Sequence, residues 1–334
     1  MGRYGCNCNG QSSGIGGFSD VCSKYIYVAN EGSNSVTLID SNTRRIVRSI
    51  GVGYVPNAIA ANPMNDTVFV VNQNSNSVSV IDSSTNKNLG MIGVGYSPNA
   101  VAINPNTNLV YVANFGAGTV SIIDGNKYSV RRTLKVGNNP YGIGINLLTN
   151  MVYVTNMGDN TVSIIDGINN VVLGRIGVGY RPARVAIDHN NNLVYVTNRD
   201  SGTVTVIDGD INKPLGSIRV GASPMYVAVN HNTDLVYVAN RNSASVSVID
   251  SSSIRAAAAS GITDVCASAG VNVFEIYVGQ DPYGISVDNI NNLIYVTKPS
   301  PSTVVVIDGD TQNVMGQITG LYTPAGISQC ILGS

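Results

Sequence analysis

The sequence has no tryptophan, only four phenylalanines, two histidines and two glutamates in 334 residues, and charged residues make up 12% of the chain. The net charge is −1, so no overall positive potential attracts nucleic acid or an anionic membrane surface. No apolar run approaches the roughly 18 residues that a membrane-spanning helix needs. The N-terminal residues also lack the apolar segment of a secretory signal. We therefore expect neither a nucleic-acid partner nor a membrane span.

What the chain does contain is a repeat. The 43% of hydrophobic residues is enough for a sizeable core, and three features recur in one phase. A segment of the form aromatic-Val-small-Asn begins at Tyr27, Phe69, Tyr111, Tyr153, Tyr195, Tyr237 and Tyr295. A second segment ends Ile-Asp at Asp40, Asp82, Asp124, Asp166, Asp208, Asp250 and Asp308. A proline followed by small and branched residues recurs at Pro56, Pro98, Pro140, Pro182, Pro224, Pro282 and Pro324.

Each repeat reads as four short strands. The apolar stretches are rich in Val, Ile, Tyr and Thr and are separated by Gly, Asn, Ser and Asp, which is typical of strands and tight turns. We name them A (after the proline), B (such as LVYVAN), C (such as TVSIID) and D (the run ending near GVG). Four-stranded units at this spacing indicate a β-propeller. We predict an all-β, seven-bladed propeller of antiparallel blades.

The YVTN and YVAN strands, the VSVID-like strands and the GVG-x-x-P turns resemble the YVTN-type β-propeller repeats of surface-layer-like proteins. The resemblance covers roughly residues 24 to 330. It implies the propeller fold and an exported or surface protein, whereas the ligands of the family are varied. The Gly-His and Trp-Asp pairs of WD40 repeats are missing here.

The ends of the repeat pattern predict how the ring closes. The first B strand has no A strand before it, and the last A strand, after Pro324, has no B strand after it. We expect the C-terminal strand to pair with the N-terminal blade, which removes the free edge. Residues 1–22 form a Gly/Asn/Cys-rich tail and residues 23–334 the propeller. An insertion at about 253–271 lengthens blade 6 and is expected to be dispensable for folding.

The five cysteines suggest one disulfide. Alignment of the repeats places Cys22 and Cys330 two residues apart in the A–B turn of blade 1, so we predict that they are bonded. Such a bond implies an oxidising location. Cys6, Cys8 and Cys266 give only a weak metal signal, and free or tail-linking thiols are the favoured interpretation.

Little in the sequence points to catalysis. His189 and His231 align with A–B hairpins and are interpreted as turn residues, too few for a three-histidine metal site or for haem ligation. The aspartates after strand C are interpreted as turn residues that accept backbone N–H bonds. No nucleophile–base motif is evident. We predict no catalytic residue, no metal site and no cofactor.

A comparison of equivalent positions suggests a ligand site at the upper face, which carries the B–C and D–A loops. Two residues after the strand-A proline the side chain is small in five repeats, but it is Arg184 in blade 5 and Tyr226 in blade 6. Arg199 and Arg241 follow the strand-B asparagine in these blades, Arg181 precedes Pro182, and Lys298 replaces the asparagine in blade 7. Guanidinium groups bind carboxylate, phosphate and sulfate, so we predict an anionic ligand here. Asp200 is a candidate to orient one of these cations.

Two functions remain open. The first is a non-enzymatic binding or scaffold propeller that displays a rigid disc to a protein, a glycan or a surface polymer. The second is a small-ligand-binding or enzymatic propeller, lactonase-like or cofactor-handling, that uses the channel mouth. The scarcity of His and Glu favours the first. We expect an extracellular or cell-surface location, with the cytoplasm as the alternative.

Overall fold

The computed structural model of the protein describes residues 25–62, 64–259 and 270–329. Strand residues dominate these ranges. The strands of the first half are β1 Tyr25–Asn30, β2 Ser35–Asp40, β3 Ile46–Gly51, β4 Pro56–Asn62, β5 Thr67–Asn72, β6 Ser77–Asp82, β7 Lys87–Gly93, β8 Pro98–Asn104, β9 Leu109–Asn114, β10 Thr119–Asp124, β11 Ser129–Lys135, β12 Pro140–Asn146, β13 Met151–Asn156, β14 Thr161–Asp166 and β15 Val171–Gly177.

The second half continues the same pattern. Its strands are β16 Pro182–Asp188, β17 Leu193–Asn198, β18 Thr203–Asp208, β19 Lys213–Arg219, β20 Pro224–Asn230, β21 Leu235–Asn240, β22 Ser245–Asp250, β23 Val273–Tyr277, β24 Ile285–Asp288, β25 Leu293–Lys298, β26 Thr303–Asp308, β27 Val314–Ile318 and β28 Pro324–Gln329. A short 3-10 turn, Glu31–Ser33, follows β1, and one helix, α1 (Ile254–Ala259), follows β22. No helix in the described ranges is long and apolar enough to span a membrane.

The strands form seven antiparallel sheets of four, and the predicted propeller is confirmed. Blades 2 to 7 each contain four consecutive strands, from β4–β7 to β24–β27. Blade 1 has the order β28-β1-β2-β3, with Val28 paired with Ile327 and Ile26 with Gln329. The prediction that the two ends share one blade is therefore confirmed. Cys22 and Cys330 lie outside the described residues, and their disulfide stays a prediction.

The core lies between neighbouring blades. The aromatic residue of every strand B is at most 1% exposed, which makes these seven rings the largest fully buried side chains. Tyr27 of blade 1, for example, packs with Ile59, Val68 and Val70 of blade 2. Because each sheet is covered on both faces, its inner strands are apolar at successive positions rather than alternating. This explains why the YVAN and SVSVID segments are almost wholly buried.

Polar residues of strand B form hydrogen bonds to the next blade and to the loop that precedes strand A. In the YVTN repeats the threonine bridges two blades: Thr155 Oγ1 accepts from Gly142 N at 2.7 Å and donates to Ala183 O of the next blade at 2.6 Å. The following asparagine is covered by a glycine of the preceding loop, since Asn156 Oδ1 accepts from Gly137 N at 3.0 Å. A Cβ on Gly137 would lie 2.4 Å from Asn156 Cγ, so glycine is required there.

The aspartates after strand C play the structural role that the sequence predicts. Asp124 Oδ1, for instance, accepts from the backbone N of Asn126 at 3.0 Å and of Lys127 at 3.1 Å. These bonds lower the pKa of Asp124, as expected for a carboxylate that the turn stabilises in its ionised form. The turn after strand C is therefore stabilised in the same way around the ring, by an aspartate that accepts backbone N–H bonds.

The insertion of blade 6 packs on the disc at its beginning. Ile254 is fully buried in a cluster with Val229, Val236 and Ile249. Arg255 forms salt bridges with Asp210 and, at 3.1 Å, with Asp208, both in blade 5. Dispensability of the insertion for folding stays a prediction, although the burial of Ile254 indicates that the start of the insertion contributes to the core between blades 5 and 6.

We predict that Ile254→Ala lowers the free energy of unfolding by about 2–5 kcal/mol, the usual loss for a buried isoleucine that leaves a cavity. Chemical denaturation measures this change. As a control, exchange of residues 260–269 for a short Gly-Ser linker should change stability by less than about 1 kcal/mol, because loop length matters little. Equal stability of Ile254→Ala and the parent would contradict the packing role.

Candidate functional site: the upper mouth of the channel

Strand A is an edge strand of each sheet and contacts strand A of the neighbouring blades, so the A strands surround the axial channel. Strand A starts at the upper face, and the side chains after its proline form successive layers downwards. Tyr141 and Tyr283 stand one residue after the proline, in blades 4 and 7. Arg184 and Tyr226 stand two residues after it, in blades 5 and 6. The structure thus brings side chains of four blades together at the mouth.

Arg184 is the only charged side chain among these four, and it is 7% exposed. Its Cζ lies 4.8 Å from the centre of the Tyr141 ring and 4.5 Å from that of Tyr226. Nη1 donates to the carbonyl oxygen of Tyr141 at 3.0 Å. Nε and Nη2 are shielded from solvent and make no hydrogen bond of regular geometry among the described residues, although the Tyr226 hydroxyl interacts with the guanidinium. Burial disfavours the charge, but the surrounding tyrosines raise the pKa of Arg184 above its ordinary value, so the guanidinium stays protonated.

The tyrosines form a connected layer around this cation. The hydroxyls of Tyr141 and Tyr283 are hydrogen-bonded at 3.0 Å although 142 residues separate them in the chain. The Tyr226 and Tyr283 rings lie 5.4 Å apart, and the buried Tyr226 hydroxyl interacts with the guanidinium of Arg184. Burial raises the pKa of Tyr226 to about 12. At neutral pH the Tyr226 hydroxyl therefore remains a hydrogen-bond donor.

A cavity of about 110 Å³ continues the channel beside Arg184 and Tyr226. It is also bordered by Ala58, Ile59, Ala100, Val101, Ile143, Val185, Val227, Gly326 and Ile327. The isoleucine side chains among these residues belong to the core clusters between blades, and the exposed lining of the cavity is more polar than apolar. A buried cation thus stands beside a small cavity with a mixed lining.

Arg241 lies next to this layer but already has a counter-ion. Its Nε is 2.6 Å from Asp281 Oδ1, and its Cζ is 5.5 Å from the Tyr283 ring. Burial raises the pKa of Glu31 in blade 1, and the charge of Arg241 partly offsets this rise. The rim therefore carries a neutralised ion pair, in contrast to Arg184, for which no salt bridge is present among the described residues.

The remaining predicted cations lie elsewhere. Arg181 and Arg199 approach the two carboxylate oxygens of Asp200 at 3.7 and 3.9 Å, so the predicted pairing of Asp200 is confirmed. Arg181 and Asp200 border a shallow depression of about 550 Å³ with Phe115 and Met157. Lys298 is 5% exposed and donates from Nζ to Val278 O at 3.0 Å, taking the structural place of the strand-B asparagine.

The two histidines lie at the other end of strand A, at the lower face. Their rings stack with centroids 5.3 Å apart. His231 Nδ1 is 3.9 Å from the buried Asp188 carboxylate. Burial lowers the pKa of His189 to about 4, with a smaller contribution from His231. Within the described ranges no group of three or more His, Cys, Asp or Glu residues could hold a metal ion.

A sequence profile of YNCE-like β-propellers matches residues 56–275, more than half of the chain. The chain belongs to the YNCE-like β-propeller family. The seven blades agree with this assignment and with the YVTN-type repeats. No curated protein matches the sequence.

Solved structures extend the likeness of this YNCE-like propeller over nearly the whole fold. A protein of unknown function from Desulfotomaculum acetoxidans has a TM-score of 0.76 at 15% identity, covering 92% of this chain and 99% of that one. Hydrazine synthase of Kuenenia stuttgartiensis has a TM-score of 0.72 at 18% sequence identity, and the match covers 90% of this chain and 99% of that one. Apo AztD of Citrobacter koseri has a TM-score of 0.66 at 13% sequence identity, and the match covers 91% of this chain and 96% of that one. Likenesses at this level of identity show the fold alone.

Sequence comparison found Arg184 and Tyr226 in this YNCE-like propeller but missed Tyr141 and Tyr283. The available signal was the Pro-Tyr-Gly triplet, which occurs in blades 4 and 7. Gly142 makes room for the neighbouring blade, because a Cβ there would lie 2.5 Å from Ala183 O. The glycine two residues after the proline is therefore explained by the close packing of two A strands. The tyrosine one residue after the proline supplies the side chain that reaches the channel.

Proposed function

We propose that the protein is a non-enzymatic binding propeller that holds a small anionic ligand at the upper mouth of its channel. The observation that carries the proposal is the buried charge of Arg184, for which no salt bridge is present among the described residues. A buried, unpaired cation is unfavourable and is usually matched by an anion. A ligand that supplies this anion would pair the guanidinium.

The tyrosine layer supports binding rather than turnover. The raised pKa values of Tyr226 and Tyr283, caused mainly by burial, keep both hydroxyls protonated at neutral pH. A protonated phenol donates a hydrogen bond to an anion, whereas it is a poor general base. Consistent with the predicted extracellular or cell-surface location, we propose that the rigid disc presents this site outside the cell.

A scaffold role is the second candidate, favoured by exposed tyrosines on the upper face. Tyr54, Tyr96, Tyr180 and Tyr322, at equivalent places in the D–A loops, are each 67–69% exposed. Large exposed aromatic side chains are typical of surfaces that bind a protein or a glycan. Simultaneous replacement of these four residues by serine tests this role separately from the channel.

The anion site is tested with Arg184→Met, which removes the charge and keeps most of the volume. Calorimetry with acetate, phosphate and sulfate should show that the variant binds the anion more weakly than the wild type does. The expected loss of binding free energy is about 1.5–3 kcal/mol for each charged hydrogen bond that is removed. Arg181→Met is the matched control, because Arg181 is an exposed arginine of the same face that is paired with Asp200. It should bind as the wild type does.

Stability provides a second readout for the same variant. If Arg184 serves the ligand, Arg184→Met should unfold at the same temperature as the ligand-free wild type or at a higher one, because an unpaired buried charge is removed. If Arg184 serves only the fold, the variant should be less stable and no anion should bind. That second pattern would overturn the proposal.

A further inference from the structure

We propose that the depression on the upper face beside Tyr180 binds a neutral hexose unit of a glycan; this rests on the scaffold role, the second candidate above, and not on the anion site. Residues of blades 3, 4 and 5 line the depression, whose volume is about 550 Å³. This volume lies within the range of about 300–1,000 Å³ that is common for small-ligand sites. Because the depression is shallow, it suits one unit of a longer polymer.

Apolar side chains form much of the surface of the depression. The residue that follows strand B is polar, charged or proline in five blades, but it is Phe115 in blade 3 and Met157 in blade 4. Tyr180, which is 69% exposed, stands on the next D–A loop. The exposed lining is more apolar than polar. A pyranose ring presents mainly C–H groups on one face, and this face gains free energy by packing on such side chains.

The polar residues of the depression supply donors and acceptors for hydroxyl groups. Asn160 Oδ1 accepts from Arg181 N at 2.9 Å, which leaves Nδ2 of the same amide as a donor. The Asp200 side chain is 45% exposed, and its oxygens lie 3.7 Å from Arg181 Nη1 and 3.9 Å from Arg199 Nε. These distances exceed that of a hydrogen bond, so the carboxylate can still accept from hydroxyls. Because a sugar hydroxyl both donates and accepts, it matches this mixed set.

The charges of the depression favour a neutral ligand. Its two charged lining residues, Arg181 and Asp200, have opposite signs and lie side by side. A phosphate or carboxylate bound there would approach the carboxylate of Asp200, and an ammonium group would approach the guanidinium of Arg181. Like charges at short range repel, whereas an uncharged polar ligand avoids both conflicts.

The loops around the depression are fixed before any ligand binds. Tyr180 N donates to Ser201 Oγ at 2.8 Å, and Tyr180 O accepts from Asp200 N at 3.2 Å. On the side of blade 4, Met157 N donates to Asn139 O at 3.0 Å. Binding therefore costs little ordering of the backbone, which favours affinity even at a shallow site.

Tyr54 provides a matched control for Tyr180. Its backbone N and carbonyl oxygen form the equivalent hydrogen bonds at the same distances, 2.8 and 3.2 Å, and it is equally exposed at 68%. Its surroundings differ, because Glu31 stands in the position that Met157 occupies beside Tyr180. A sugar should therefore depend on Tyr180 and not on Tyr54.

The experiment is calorimetric titration of the full chain with cellopentaose, maltopentaose, mannopentaose, pentagalacturonate and a glucosamine pentamer. We expect a neutral pentasaccharide to bind and the two charged sugars to bind more weakly. Tyr180→Ser should weaken the neutral sugar at least about fivefold, and Asp200→Asn about tenfold or more. Tyr54→Ser and Arg184→Met should leave its affinity unchanged. Saturation-transfer NMR should show the strongest signal for the C–H protons of one face of the sugar ring.

The outcomes separate this inference from the anion site. Failure of every neutral sugar to bind, or binding that survives both Tyr180→Ser and Asp200→Asn, would overturn the sugar site and leave the anion site in place. Preference for pentagalacturonate, abolished in Arg181→Met, would overturn the neutral class. Loss of sugar binding in Arg184→Met would overturn the assignment of the sugar to the depression.

Discussion

A chain that ends at Thr323 is expected to lose cooperative folding or to melt at least about 10 °C lower than the full chain. The truncation removes β28, which pairs with β1 and buries Ala325 and Ile327 against blades 1 and 7. It also leaves Thr297 Oγ1 without its acceptor, Ala325 O, at 3.0 Å. Loss of one buried isoleucine costs about 2–5 kcal/mol, a large part of the stability of a typical domain. Each kcal/mol corresponds to about 2–4 °C for a domain of 150–250 residues.

Thermal unfolding followed by far-UV circular dichroism measures this effect. The control ends at Gln329 and therefore retains β28, and both chains are compared under reducing conditions, so that the predicted disulfide makes no difference. A peptide of residues 324–334 should restore the transition by strand addition to β1. A truncated chain as stable as the control would show that the ring does not depend on this strand.

The second large effect is expected for the predicted disulfide between Cys22 and Cys330. In the chain-entropy description, a bond that closes nearly the whole chain stabilises the fold by about 4–5 kcal/mol at most. We expect Cys22→Ser, Cys330→Ser and the double variant to lose the same amount in oxidising buffer, because either single change removes the bond. All of them should match the wild type in reducing buffer.

Peptide mapping without reduction tests the bond directly. A peptide that links the segments of Cys22 and Cys330 is the expected product, whereas two free thiols would falsify the pairing. Cys266→Ser is the matched control and should leave the stability in oxidising buffer unchanged.

The fold was predictable from the sequence because one pattern occurs seven times. The spacing of strand B, from Tyr27 to Tyr295, gave the number of blades, and the unpaired ends gave the closure that β28 and β1 confirm. Such redundancy tolerates irregular copies. Blade 7 keeps its place in the ring although Lys298 replaces the asparagine and β24 has only four residues.

The site was only partly predictable, because it depends on which of two consecutive residues faces the channel. In blades 4 and 5 the pairing of strands A and B is interrupted in the same way, between Pro140 and Ile143 and between Pro182 and Val185, yet Tyr141 reaches the mouth from the first position and Arg184 from the second. The Pro-Tyr-Gly triplet marks Tyr141 and Tyr283 in the sequence, but only the structure shows that their hydroxyls meet across the mouth beside Arg184. The sequence also could not show which of the cations pairs with Asp200, or that no salt bridge reaches Arg184 among the described residues.

The contact between a loop glycine and the strand-B asparagine has a consequence for how such a chain diversifies. The two residues are 19 positions apart, as in Gly137 and Asn156, and in blade 7 the corresponding pair is Gly279 and Lys298. Gly279 has a φ of +83°, which favours glycine, and a Cβ on it would lie 2.6 Å from Lys298 Nζ, so glycine is retained beside the altered partner as well. A crossover between two repeats within strands C and D exchanges such pairs intact. A crossover within strand A separates them and combines partners that were selected in different blades.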